Sequence, residues 1–230
     1  MDTERTRRRI TGSAVAIGLL YLILQHAFYL AGHFLADLIG FAPFLPKIPL
    51  DDRIPLVSAF IIPYVWAYLY WAMAPMAVSL CEKRHFADYM AANLLACAAG
   101  TLVLALFPTY MDRVAEGIFA TPENPTFFDR LRLFWYSLDG SETAYNLLPS
   151  FHCINSTLCY LGVAGRAELP KWFRVYSLVT ALLIFASTVY VKQHYVLDVI
   201  AGVALAAIVW FLCKRYHWGR IFASVGRGKR

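Results

Sequence analysis

Six stretches of this chain run for fifteen residues or more without Asp, Glu, Lys or Arg, and no other feature restricts the fold as much. They are 10–36, 54–81, 89–111, 143–165, 175–191 and 199–213. A helix crossing a bilayer needs roughly 20 apolar residues. In lipid only helices and closed barrels satisfy every backbone N–H and C=O. The last stretch is short and reaches spanning length only if its helix starts near His194. Composition agrees: the chain is 60% hydrophobic and 16% charged, against about 45–50% and 25% for soluble domains. The expected class is all-α, a polytopic membrane protein of six transmembrane helices forming one unit over residues 1–230. The first stretch exceeds a signal-peptide core in length and is expected to remain as a helix.

The placement of charge orients the bundle. With the N-terminus inside, fifteen of the 21 Lys and Arg residues fall on inner segments and six on outer ones. Acids run the other way. This is the positive-inside pattern, so both termini are expected inside. The basic tail 214–230 serves either as a topology anchor or as a contact for anionic lipid. No recognition module accompanies it, and nucleic acid is not an expected partner. The five cysteines form no CxxC pair, which fits small buried hydrophobes better than a disulfide frame or zinc site. Gly100 and Gly202 suit close helix packing.

This topology gathers chemistry at the outer end. Ser150 and His152 open the fourth stretch, and Arg113 follows the third. Lys192, His194 and Asp198 sit between the fifth and sixth. His194 and Asp198 are spaced i, i+4 and share a helix face. A carboxylate there fixes the imidazole tautomer and leaves the other nitrogen basic. The pair reads either as an oriented nucleophile or as a buried structural contact. Ser150 follows Pro149 at a helix start, where free N–H groups favour anions. His152 beside it is placed for general acid work, and a plain helix cap is the other reading. Arg113 and Lys192 are the cations suited to binding a substrate phosphate. Arg130 and Arg132 are weaker candidates.

Asp51, Asp52 and Arg53 read as headgroup selectors or as a solvated turn. His26 and His33, seven apart on one helix face, read as satisfied interior or interfacial histidines and not as metal ligands. No Asp/Glu cluster suggests a metal, and no cofactor is expected. The stretch 127–138 is expected to form a short helix over the site.

The motifs Pro149-Ser150-Phe151-His152 and Ser187-x6-His194-x3-Asp198 resemble two signatures of the type 2 phosphatidic acid phosphatase superfamily, Pro-Ser-Gly-His and Ser-Arg-x5-His-x3-Asp. The resemblance covers most of the chain. It implies a metal-independent mechanism in which His194 attacks phosphorus, Asp198 orients it, His152 protonates the leaving group and Ser150 donates to the phosphoryl oxygens. Several positions depart from the pattern. Thr188 replaces an arginine, Leu106 a lysine, Val114 a proline and Phe151 a glycine. These departures, with the His-Tyr-x-x-Asp-Val ending, are similar to the branch holding inositol phosphorylceramide and sphingomyelin synthase relatives. Three functions follow as expectations: a lipid phosphatase, a lipid phosphotransferase using the same histidines, or a transporter or scaffold that keeps the fold. The partner is a phospholipid or lipid phosphate. The location is a plasma or inner membrane, with the site on the extracytoplasmic side.

Overall fold

The apolar stretches form helices because a helix satisfies its own backbone wherever the surroundings offer no hydrogen bonds. The computed structural model describes residues 12–138 and 142–220. The basic N-terminus and the tail beyond Arg220 lie outside them. In chain order the elements are α1 (Gly12–Ile39), α2 (Ile61–Val78), α3 (Lys83–Leu106), β1 (Tyr110–Asp112), α4 (Phe127–Ser137), β2 (Thr143–Tyr145), α5 (Phe151–Val163), α6 (Lys171–Tyr190) and α7 (Val196–Tyr216). Among the described residues, five helices are long and apolar enough to cross a membrane: α1, α2 with its leading turn, α3, α6 and α7.

The fourth stretch departs from the expected span. Residues 143–165 are not one helix. They begin as β2, pass through a loop and become helical only at Phe151. At 13 residues α5 is about 20 Å long, well short of a bilayer's ~30 Å core. It packs against α2, α3, α6 and α7, and ten of its residues are buried. Enclosed by protein, α5 needs neither spanning length nor a lipid-compatible surface.

The third stretch also ends early. Pro108 cannot continue α3, so residues 110–112 leave the helix as β1. β1 pairs antiparallel with β2, Tyr110 opposite Tyr145 and Asp112 opposite Thr143. A parallel bridge joins Phe44 to Thr109. The all-α expectation is therefore modified by a small clasp that ties the loop after α1 to the segment before α5. The sixth stretch meets its length requirement: α7 runs for 21 residues and starts at Val196, three residues ahead of the charge-free stretch's first residue, Val199.

Helix contacts explain the buried glycines. A Cβ on Gly202 would lie 2.6 Å from the backbone oxygen of Ser150. The Ser150 N–H in turn donates to the Asp198 carbonyl at 3.0 Å. The start of α5 is thus seated directly on α7. Gly202→Leu is expected to destabilise the protein by about 1–3 kcal/mol or more through overpacking. Gly12→Ala, where a Cβ meets nothing within 4 Å, is expected to be neutral. Thermal unfolding of both variants in detergent measures the difference. All five cysteines are free and buried, as their surroundings suggested.

α4 forms where a short helix was expected. Thr126 and Asp129 make a capping box at its start. Hydrogen bonds from Ser58 and Thr126 pull the Asp129 carboxyl down to about 2. Arg132, 1% exposed, donates to the carbonyls of Ile118 and Ala120 and to Ser58 Oγ. That fastens α4 to the loop before it and to the turn leading into α2.

Candidate active site

His194 and Asp198 stand at the start of α7, where the i, i+4 spacing brings them together. His194 Nδ1 lies 3.3 Å from Asp198 Oδ2. A carboxylate only accepts, so Nδ1 carries the proton and Nε2 is left with its lone pair. Asp198 Oδ2 also accepts from the Tyr195 N–H at 2.9 Å. One fully buried carboxylate therefore both caps α7 and fixes the histidine's tautomer.

His152 comes from the first turn of α5. Its ring stacks on Tyr64 at 4.3 Å between centroids and meets Trp71 edge-on at 4.9 Å. Its Nε2 is buried and has no hydrogen-bond partner among the described residues. The His152 and His194 ring centroids are 6.1 Å apart. Both rings line a cavity of about 850 Å³, walled by α1, α2, α4, β2 and the loops before α5 and α7. Trp135 and Tyr136 of α4 lie on its wall, which is the covering role expected of that segment.

The expected phosphate ligands divide. Arg113 lines the cavity, and its guanidinium donates to Gln193 Oε1 at 3.2 Å. Gln193, which sequence reasoning passed over, lines the cavity as well. Lys192 does not. Its ammonium donates to the Asp51 carbonyl at 2.9 Å and lies 3.9 Å from Glu116. Lys192 also has φ +56, which turns the chain just before His194. Ser150 is fully buried, and its Oγ accepts from the Cys153 N–H to cap α5. Arg132 is committed to the α4 anchor described above.

Asp51 is neither a headgroup selector nor a solvated turn. It is 3% exposed. Its Oδ1 accepts from the Val196 N–H and its Oδ2 from the Ile48 N–H, both at 2.8 Å. Glu116 sits beside it, accepting from the Tyr195 hydroxyl at 2.9 Å and from Lys47 at 2.7 Å. Hydrogen bonds to Asp52 and Glu116 hold the Lys47 ammonium above the usual lysine range. These groups brace residues 192–198 from behind. Asp51→Ala removes the acceptor for two partly buried N–H groups and is expected to lower kcat by about 10²-fold through misplacement of His194, with KM changed little. Asp51→Asn, which keeps an acceptor, should recover part of the loss. Steady-state kinetics of both variants is the check.

His26 and His33 belong to the cavity wall. Both line the cavity from α1, His26 exposed and His33 3.3 Å from Asn146. No three His, Cys, Asp or Glu side chains gather to hold a metal among the described residues.

The class is defined by these features: a polytopic helical protein whose bundle presents an oriented histidine and a second histidine in one cavity. The chain belongs to the PAP2 superfamily, whose family description matches residues 47–212. Membership fits phosphatase or phosphotransferase chemistry in general. No curated protein and no solved structure matches the chain.

Proposed function

We propose that this protein is a lipid phosphatase that removes phosphate from a lipid phosphate through a phosphohistidine at His194. The observation that carries this reading is the His194 ring held through Nδ1 by Asp198, with His152 beside it on the same cavity wall. His194 Nε2 attacks phosphorus, and the bond from phosphorus to the lipid oxygen breaks. His152 gives that oxygen its proton. In the second step His152 takes a proton from water, the water oxygen attacks phosphorus, and the P–N electron pair returns to His194. Arg113 and Gln193 hold the phosphoryl oxygens as charge builds on them.

In this reading α5 counts as the sixth segment, shortened because protein surrounds it, and both termini face the cytoplasm. Lys83, Arg84, Arg166, Lys171, Arg174, Lys214 and Arg215 gather at the end of the bundle away from the histidines, which supports an extracytoplasmic site. A second reading, transfer of the phospho group to a lipid alcohol, is favoured by one feature. The cavity wall is largely aromatic and aliphatic, and α4 lies over it, so a phosphoenzyme formed there is sheltered from water.

The test is a panel of lipids offered to the purified full chain with a chelator present. Phosphate release from dioctanoyl phosphatidic acid without any acceptor is the expected result. Product that forms only when a lipid alcohol is added to a phosphodiester lipid would replace the phosphatase reading with the transferase one. A requirement for added metal would contradict the mechanism.

A further inference from the structure

α1 changes partners along its length. A Cβ on Gly18 would lie 2.7 Å from the Ala72 backbone oxygen, so α1 touches α2 there. Further along, a Cβ on Gly32 would lie 3.1 Å from Leu104 of α3. Between these contacts α1 leaves α2, and the space that opens is the cavity. Ile23, Tyr68 and Leu138 line it and are 67%, 40% and 65% exposed. The cavity thus opens between α1, α2 and α4 toward the surroundings of the bundle.

The α1 side of this opening is unlike the phosphate end. It carries Gln25 and His26, with no Asp, Glu, Lys or Arg from α1 on the cavity wall. Gln25 is 5% exposed, lines the cavity, and its Oε1 has no hydrogen-bond partner among the described residues. An unsatisfied buried acceptor costs about 1–3 kcal/mol, and in the middle of an apolar helix such a group usually marks a ligand path. An acceptor calls for a donor. Ionised phosphate oxygens only accept and do not serve it. A hydroxyl both donates and accepts, and it suits Gln25, with the exposed imidazole of His26 on the same cavity wall. Formal charge on the ligand at this point would face no counter-charge.

We propose that Gln25 and His26 form a subsite for the free hydroxyl of a neutral lipid group, separate from the phosphate end at Arg113 and His194. For the identity of the group at the other end, the subsite rests on the lipid-phosphate reading above. The hydroxyl has two possible sources, a free lipid alcohol or the headgroup of a phosphodiester lipid, and both present the same chemistry to Gln25.

The experiment is equilibrium binding of three lipids to the full chain in detergent. Dioctanoylglycerol carries a free alcohol, dioctanoyl phosphatidylglycerol a hydroxyl-bearing headgroup, and dioctanoyl phosphatidic acid neither. Gln25→Leu and His26→Leu are each expected to weaken binding of a hydroxyl-bearing lipid by about tenfold, the loss of one hydrogen bond. Binding of phosphatidic acid should stay within about twofold. His26→Asn, which keeps a donor and an acceptor, should restore much of the affinity. Loss confined to dioctanoylglycerol identifies a free alcohol as the ligand, and loss confined to phosphatidylglycerol identifies a headgroup. Either result supports the subsite. Leucine variants that elute as wild type yet bind both hydroxyl-bearing lipids unchanged would overturn it, as would an equal loss for phosphatidic acid. Absence of phosphate release from every lipid would defeat the proposed function and leave this binding result standing.

Discussion

His194→Ala is expected to reduce phosphate release by about 10⁴-fold or more, because it removes the atom to which phosphorus is transferred. The residue is on the cavity wall and its ring contributes one hydrogen bond to Asp198. Asp198 keeps its bond from the Tyr195 N–H in the variant, so α7 retains its cap and the fold should survive. A rapid acid-free quench of wild type with labelled lipid phosphate should trap a phosphoenzyme. A phosphoramidate bond to imidazole survives alkali and is released by acid, which distinguishes it from a serine ester. His194→Ala should trap no label. Label persisting in that variant, or activity unchanged, would remove His194 from the nucleophile's role.

His152→Gln is expected to cost about 10²–10⁴-fold with an alkyl lipid phosphate, the usual span for general acid–base catalysis. Its ring is held by Tyr64 and Trp71, so the native side chain is aimed without a hydrogen-bonding partner at Nε2 among the described residues. The loss should depend on the leaving group. An aryl phosphate expels a weakly basic oxygen that needs no proton, so the first step should proceed in His152→Gln. The second step still needs a base to deprotonate water. The variant should therefore accumulate phosphoenzyme from the aryl substrate, seen as a burst followed by slow turnover. Equal losses for alkyl and aryl substrates would show that His152 acts by shape and not by proton transfer.

The two experiments separate roles that the motifs alone leave joined. His194 and Asp198 were legible because the contact is local: Asp198 in the first turn of α7 reaches back to the cap residue Tyr195 and to His194 just before it. His152 was legible as the partner because the charge-free stretches alternate in direction and bring the starts of α5 and α7 to one end. The helix over the site was legible from the aromatic stretch at 127–138, and its capping box lies within four residues.

Other readings failed where the deciding contact lies far away in sequence. Lys192 looked like a replacement for the missing phosphate cations. Its ammonium is instead taken by the carbonyl of Asp51, 141 residues earlier. Asp51 looked like a surface turn, yet it caps the start of α7 from 145 residues away. For Ser150 the local reading appears in the structure: its hydroxyl oxygen accepts from the Cys153 N–H three residues on, the helix cap offered beside the phosphate role. That His26 and His33 face a cavity was hidden because hydropathy cannot show that α1 parts from α2. The fourth stretch yields a helix of only 13 residues for a related reason. A charge-free stretch reports that its surroundings are apolar, and the interior of a helical protein is as apolar as lipid.

By itself the sequence determined that the chain builds apolar helices, that a histidine is oriented by the carboxylate one turn on, and that a second histidine opens another helix. Those properties follow from hydropathy and from helical spacing, which act over a few residues. Only the tertiary structure decided which cations face the cavity, that Asp51 and Glu116 brace the turn carrying His194, and that α1 puts Gln25 and His26 on the cavity wall. Buried polar groups take whichever partner the packing brings within reach, and here those partners come from the far ends of the chain.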